Sequence, residues 1–235
     1  MQELIRLEKI CRNYPAQDST VHALQQVSLS IGSGEFSAIT GHSGSGKSTL
    51  MNILGCLDRP TSGTYYLDGQ DVFALSDRER TALRGQKLGF IFQGYNLIST
   101  LTCLENVELP LLYAGLPPKL RQERVLEALE QVGLSDRLHH RPCQLSGGQQ
   151  QRTAIARAIA SCPQCLLADE PTGNLDPETT SSIMELLFSL NRQGKTIVLI
   201  THDPSIAAAI PRVIGIDSGK IAFDRRKKTD PDASQ

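Results

Sequence analysis

No stretch of this 235-residue chain approaches the ~18 to 20 consecutive apolar residues that a membrane-spanning helix requires. Any role at a membrane therefore has to come through another protein. An excess of charge of one sign is also missing. The 24 lysines and arginines stand against 25 aspartates and glutamates, which leaves no field for gathering nucleic acid. The opening residues, Met1-Gln2-Glu3-Leu4-Ile5-Arg6, carry no apolar signal region, and the chain is expected to stay in the cytoplasm. Its six cysteines are scattered, and only Cys162-Pro163-Gln164-Cys165 has pair spacing. A redox or metal role would need a second pair or a thioredoxin-like setting, so both are read as ordinary reduced thiols. The length suits one domain, or one domain with subdomains.

What is present is dense in glycine and serine at one place. Gly41-His42-Ser43-Gly44-Ser45-Gly46-Lys47-Ser48 fits G-x-x-x-x-G-K-[ST]. Glu35-Phe36-Ser37-Ala38-Ile39-Thr40 reads as a buried strand entering it, and Lys47-Ser48-Thr49-Leu50-Met51-Asn52-Ile53-Leu54 as a helix leaving it. Glycines let successive backbone N–H groups turn inward onto a phosphate, and the new helix adds its positive end. Gly41, Ser43, Gly44, Ser45, Gly46, Lys47, Ser48 and Thr49 are thus the expected triphosphate-binding set. Lys47 should neutralise β- and γ-phosphate oxygens, and the Ser48 hydroxyl should ligate Mg²⁺.

Two acids end the apolar run Cys165-Leu166-Leu167-Ala168-Asp169-Glu170. So short an apolar run, bounded by loops, suggests a central strand buried on both faces. Ligands in such folds collect at the carboxyl ends of the strands. Asp169 is placed to hold Mg²⁺, and Glu170 to orient or deprotonate the attacking water.

Further along, Leu145-Ser146-Gly147-Gly148-Gln149 leads into Gln150-Gln151-Arg152-Thr153-Ala154-Ile155-Ala156-Arg157-Ala158-Ile159-Ala160. Ala154, Ile155, Ala158 and Ile159 form one apolar stripe at helical spacing, Ser146 is a natural N-cap, and Gly147 and Gly148 expose N–H groups at a helix start. That makes a second anion site in the same chain. Together with the upstream motif, this pattern resembles the ATP-binding subunits of ABC transporters, over about residues 1 to 224.

The resemblance carries several implications. Ser146, Gly147, Gly148 and Gln149 would face the γ-phosphate of ATP held by a partner subunit, so that two chains sandwich two ATP molecules head to tail. Tyr14 stands where an aromatic ring stacks on adenine. Gln93, after Leu88-Gly89-Phe90-Ile91-Phe92, matches the glutamine that reaches Mg²⁺ and senses a membrane partner. Asn174-Leu175-Asp176 matches the loop that crosses between subunits, and His202, after Thr196-Ile197-Val198-Leu199-Ile200, the histidine on the γ-phosphate. Glu170, His202 and Lys47 are then the catalytic set, and Ser48, Gln93 and Asp169 the Mg²⁺ set. The finer match is to the branch of macrolide-exporter and lipoprotein-release ATPases. It rests on Phe92-Gln93-Gly94-Tyr95-Asn96-Leu97, Leu101-Thr102, Glu105-Asn106-Val107 and Ala168 to Asp176, with Ser99 where related sequences often carry proline. The implied partners are a second copy and a separate transmembrane permease, with or without a periplasmic adaptor. The chain would then lie peripherally on the inner face of the cell membrane.

Long coiled-coil insertions mark the DNA-repair relatives of this superfamily, and no sustained heptad occurs here. Translation-associated relatives carry two cassettes, and this chain has one. A non-transport ATPase of the same branch, transmitting force to a membrane partner, remains the alternative to export.

The fold expected is α/β, a P-loop NTPase (RecA-like) core with a mainly parallel sheet. Residues 1 to 31 and Gly63 to Asp68 would form a small antiparallel β layer, giving about 1–93 and 161–224 for layer and core. Residues of about 94–160 would be a helical subdomain carrying the signature, with Val125, Ala128, Leu129 and Val132 at helical spacing. Ile183, Leu186, Leu187 and Leu190 mark another helix, begun by Asp176 and Pro177. Arg225-Arg226-Lys227-Lys228 would open a polar, disordered tail over 225–235.

Overall fold

The computed structural model describes residues 2–16 and 19–227. In chain order the elements are β1 (Glu3–Ala16), β2 (Ser19–Gly32), β3 (Phe36–Thr40), α1 (Lys47–Leu54), β4 (Ser62–Leu67), β5 (Gln70–Asp71), α2 (Asp77–Lys87) and β6 (Leu88–Phe92). Then follow α3 (Cys103–Tyr113), α4 (Pro118–Gln131), a 3₁₀ turn at Pro142–Gln144, α5 (Gly147–Ile159) and β7 (Cys165–Asp169). The chain continues through α6 (Pro177–Arg192), β8 (Thr196–Ile200), α7 (Pro204–Ala209), β9 (Arg212–Asp217) and β10 (Lys220–Arg226).

Two sheets result. The central sheet runs β10-β9-β3-β8-β7-β6, parallel except for the edge strand β10. The second is antiparallel, ordered β2-β1-β4-β5. Between β6 and β7 the chain is helical and contains no strand.

The central strands have side chains on two buried faces, and the period of two separates them. Phe36, Ala38, Leu166, Ala168, Ile197 and Leu199 point into a core shared with α3, α4, α5 and α6. Ile39, Cys165, Leu167, Val198 and Ile200 point into a second core with α1 and the antiparallel sheet. This is why the strand sequences are apolar throughout and do not alternate. The expected stripes are seated accordingly: Ala154, Ile155, Ala158 and Ile159 are buried, as are Val125, Ala128, Leu129 and Val132.

Several helix starts are marked by side-chain caps. Ser76 and Thr102 form reciprocal capping boxes with Glu79 and Glu105, and Ser146 does so with Gln149. Asp176 caps α6, which has Pro177 at its first position.

One expectation needs correction. Arg225 and Arg226 do not begin a tail but end β10, where Arg226 pairs with Arg212 and Lys227 N donates to Pro211 O at 2.8 Å. Backbone pairing to β9 holds these residues although their side chains face solvent. The remainder of the expected tail, from 228 onward, lies outside the described residues.

Candidate functional site

The phosphate loop lies between β3 and α1. Gly46 has φ 107°, a conformation that glycine adopts without strain, and it hands the chain directly to Lys47. A Cβ at Gly41 would stand 2.3 Å from Ile216 O and 2.6 Å from Ser45 Oγ, so only glycine fits there. Gly219 N donates to Ser45 O at 2.9 Å, which docks the loop on the β9–β10 turn. Lys47 is buried, and its Nζ donates to Gly41 O and His42 O, both at 2.8 Å. Ser48 is exposed and Thr49 half-buried at the start of α1. The loop suits a phosphate group: the Ser45 hydroxyl is buried without a partner, and the lysine ammonium is held by neutral carbonyls rather than by an acid.

The acids stand where the parallel strands end. Asp169 closes β7, level with Phe92 of β6 and Ile200 of β8. Burial raises its pKa, the neighbouring Glu170 raises it further, and Lys47 opposes both. Such a carboxylate gains from a cation. Ser48, Asp169 and Gln93 supply hard oxygen donors of the kind Mg²⁺ prefers. Among the described residues no group of three or more His, Cys, Asp or Glu side chains could hold a metal, so a cation here would draw its remaining ligands from nucleotide oxygens.

Glu170 has φ 44°, a left-handed conformation that costs a side-chain-bearing residue about 1–3 kcal/mol. Its N–H donates to Ile200 O at 3.0 Å, and its carbonyl accepts from Gly173 N at 3.1 Å. The twist aims the carboxylate at His202, whose Nδ1 donates to Glu170 Oε1 at 2.8 Å. An acid and an imidazole thus meet across two adjacent strand ends, a pairing suited to holding and orienting water. Leu175, Thr172 and Met184 help enclose a cavity of about 610 Å³ beside them.

Gln93 leaves β6 toward this same loop. A Cβ at Gly173 would lie 2.7 Å from Gln93 Nε2, and Gln93 and Asn174 exchange two long hydrogen bonds of 3.4 Å. Asp176 accepts from Thr179 N at 2.9 Å and from Thr179 Oγ1 at 2.6 Å.

The start of α5 adjoins that of α6. A Cβ at Gly148 would meet Thr179 Cγ2 at 2.5 Å. Gly148 therefore serves close packing in addition to exposing an N–H group. Ser146 Oγ accepts from Gln149 N at 3.3 Å, and Gln149 Oε1 accepts from Ser146 N at 3.0 Å.

Tyr14 lies on β1, paired with Val21 of β2. Its hydroxyl donates to Asp58 at 2.7 Å, and the Arg12 guanidinium covers one face of its ring at 4.4 Å from the centroid while also binding Asp58. A base could stack only on the ring face that Arg12 leaves.

Two participants carry no signal in the sequence. His42 occupies a variable position of the motif. Its Nδ1 lies 2.7 Å from Ser43 O and its Nε2 2.8 Å from Asp217 Oδ1. Both partners are acceptors, so this geometry favours the protonated ring. These hydrogen bonds, to Ser43 O first and then to Asp217, raise its pKa. Arg157 reaches from α5 to the backbone behind Gln93. Cys165 is buried with its thiol pushed up to about 12, and Cys162 is exposed.

Comparison with known proteins follows the same lines. Residues 24–173 match the family described as "ABC transporter". The chain is 50% identical over 218 residues to the "Uncharacterized ABC transporter ATP-binding protein YknY" of Bacillus subtilis, covering 93% of this chain and 95% of that protein. It is 52% identical to the "Macrolide export ATP-binding/permease protein MacB 1/2" of Paracoccus denitrificans over 95% of its own length, and spans 33% of that longer protein. Among solved structures, the dimeric structure of MJ0796, a bacterial ABC transporter cassette, superposes with a TM-score of 0.88 at 45% identity, covering 96% of this chain and all of that one. A second structure of MJ0796, a dimeric post-hydrolysis state bound to ADP and Pi, aligns equally well, with a TM-score of 0.88.

Proposed function

The chain belongs to the ABC transporter family and is an ATPase of the cassette type, and from that premise we propose that two copies close head to tail around two MgATP molecules and drive a membrane permease. One observation carries the reading. Helix α1 packs in the core on one face of the central sheet and α5 in the core on the other. On this reading a nucleotide held at α1 leaves the glycine-rich start of α5 for the nucleotide of another molecule. The dimeric MJ0796 cassettes support the same arrangement.

Mg²⁺, when bound, supplies positive charge to the β- and γ-phosphate oxygens. Lys47 binds the same oxygens from the loop, and Ser48, Asp169 and Gln93 hold the ion. Glu170 orients the attacking water and receives its proton. His202 fixes the Glu170 carboxylate and faces the γ-phosphate. The ATP of each copy then bridges Lys47 of one chain and Ser146, Gly147, Gly148 and Gln149 of the other. Hydrolysis and loss of phosphate remove that bridge, and the pair opens.

The partner surface we propose lies beside Gln93. Leu112 and Tyr113, at the end of α3, are 53% and 84% exposed. Next to them a cleft of about 320 Å³ is lined by Phe92, Asn96, Pro110 and Arg157. No helix among the described residues is long and apolar enough to cross a membrane. We assign the surface to a separate permease, which would hold the chain at the inner face of the membrane. The export-type names of its relatives favour export or extraction of a drug, peptide or lipoprotein over force transmission without transport.

Glu170→Gln tests the reading. It should bind MgATP, lose at least about a hundredfold in hydrolysis, and run as a dimer on gel filtration only when MgATP is present. A protein that stays monomeric under saturating MgATP would contradict the proposal.

A further inference from the structure

The loop behind Gln93 holds two successive side-chain-bearing residues in the left-handed region. Tyr95 and Asn96 have φ 57° and 50°, the left-handed region that residues with a Cβ seldom enter. Two in succession persist only where the surroundings impose them. Arg157, in the last turn of α5, imposes them: its guanidinium donates to Tyr95 O at 2.8 Å and also to Asn96 O. Burial lowers the Arg157 pKa, and no carboxylate compensates it. A charge withdrawn from water without an acid to pair it is costly. Its hydrogen bonds here go to the two carbonyls that the left-handed turn presents. The planar fork suits two adjacent acceptors in a way that an ammonium point charge does not.

A second contact joins the same loop to the other end of α5. A Cβ at Gly147 would lie 3.0 Å from Tyr95 Oη and 3.4 Å from Leu175 Cδ2. Tyr95 is half-buried, with its hydroxyl against the first turn of the helix. Helix α5 thus grips residues 95–96 from both of its ends, through a side chain of the loop at its start and through its own arginine at its finish. Gln93, two residues earlier, rests on Gly173 of the loop that carries Glu170.

We propose that Arg157 and Tyr95 are positioning residues that fasten the Gln93 loop to the signature helix as one rigid unit. A displacement of the metal-facing loop then moves Gly147 and Gly148, which face the neighbouring molecule's nucleotide. Asn96 and Arg157 also line the cleft assigned to the permease, so a docked partner would press on this joint. The inference rests on the reading above for what each end of the unit faces. The joint itself is independent of that reading.

The test compares Arg157→Gln, Arg157→Lys and Tyr95→Phe with the wild type in three measurements: kcat, the Kd for MgATP, and backbone amide exchange. Arg157→Gln should lose about tenfold in kcat while Kd changes by less than about twofold. Its exchange should rise at 93–97 and also at 146–149, on a separate element. Arg157→Lys, reaching one carbonyl, should recover part of kcat. Tyr95→Phe should loosen 146–149 and lose about threefold in kcat. Exchange that rises at 93–97 alone, or kcat per folded molecule equal to wild type in all three variants, overturns the proposal. So does a Kd that worsens in step with kcat. Should Arg157→Gln fail to fold, Tyr95→Phe decides on the same readouts. A wild type that hydrolyses ATP without dimerising would sink the dimer reading, and the exchange data would still judge the joint.

Discussion

The chemistry proposed for this cassette is concentrated in residues that sit awkwardly. Glu170 is left-handed, Asp169 is a partly desolvated carboxylate, and Lys47 is a buried ammonium resting on carbonyls. Each departs from what stability alone would select, and in the proposed mechanism each would be answered by a nucleotide or a cation. His42 adds a charge that varies with pH. Its folded pKa is raised, so the imidazolium and its bond to Asp217 are complete below the ordinary value of about 6.5 and are lost as pH rises through the raised value. The phosphate loop loses positive charge over that interval. We expect KM for ATP to rise about two- to threefold across it in the wild type and to stay flat in His42→Asn; parallel profiles in the two proteins would contradict this. Glu170 and His202 are legible in the sequence because each follows an apolar strand. Their 2.8 Å contact is not, because 32 residues separate them and only the parallel pairing of β7 with β8 brings them together.

Elements differ in how plainly the sequence declares them. Helices α5 and α6 have an apolar stripe, a cap and, in α6, a proline at the first position, and both are readable without coordinates. Strand β10 has none of these. Lys220 to Arg226 is exposed almost throughout, and its last two residues, Arg225 and Arg226, read as the start of a polar tail because their order comes from backbone pairing to β9. Part of its attachment is an ion network invisible in sequence. Arg212, only 5% exposed, donates to Glu35, to Asp224 and to Ser30 O. Its bonds to Asp224 hold that carboxyl below its usual range. Arg212→Met leaves the largely buried Glu35 carboxylate with hydrogen bonds from Gly32 N and Ser37 Oγ, and with Arg226 at 3.5 Å as its remaining cation. That should cost about 3 kcal/mol, or roughly 6 to 12 °C in melting temperature, measured by thermal unfolding with and without ATP. A melting temperature within two degrees of wild type would show that the network contributes little.

At the scale of the whole molecule, α1 and α5 pack in two cores on opposite faces of one sheet, and the proposed shared site depends on their helix starts facing different nucleotides. The motif order in the sequence already implies two sites. Which face each occupies emerges only from the alternation of strand side chains, Leu166 and Ala168 to one core and Cys165 and Leu167 to the other. The most direct measurement mixes two inactive proteins, Lys47→Ala and Ser146→Arg. Each alone lacks one half of every composite site. If the halves come from different chains, a mixed dimer holds one intact site. Random pairing at equal amounts should then restore up to about a quarter of wild-type hydrolysis, since half the dimers are mixed and half their sites are whole. A mixture as inactive as its two components, or a Ser146→Arg protein that hydrolyses ATP at the wild-type rate by itself, would contradict the shared site.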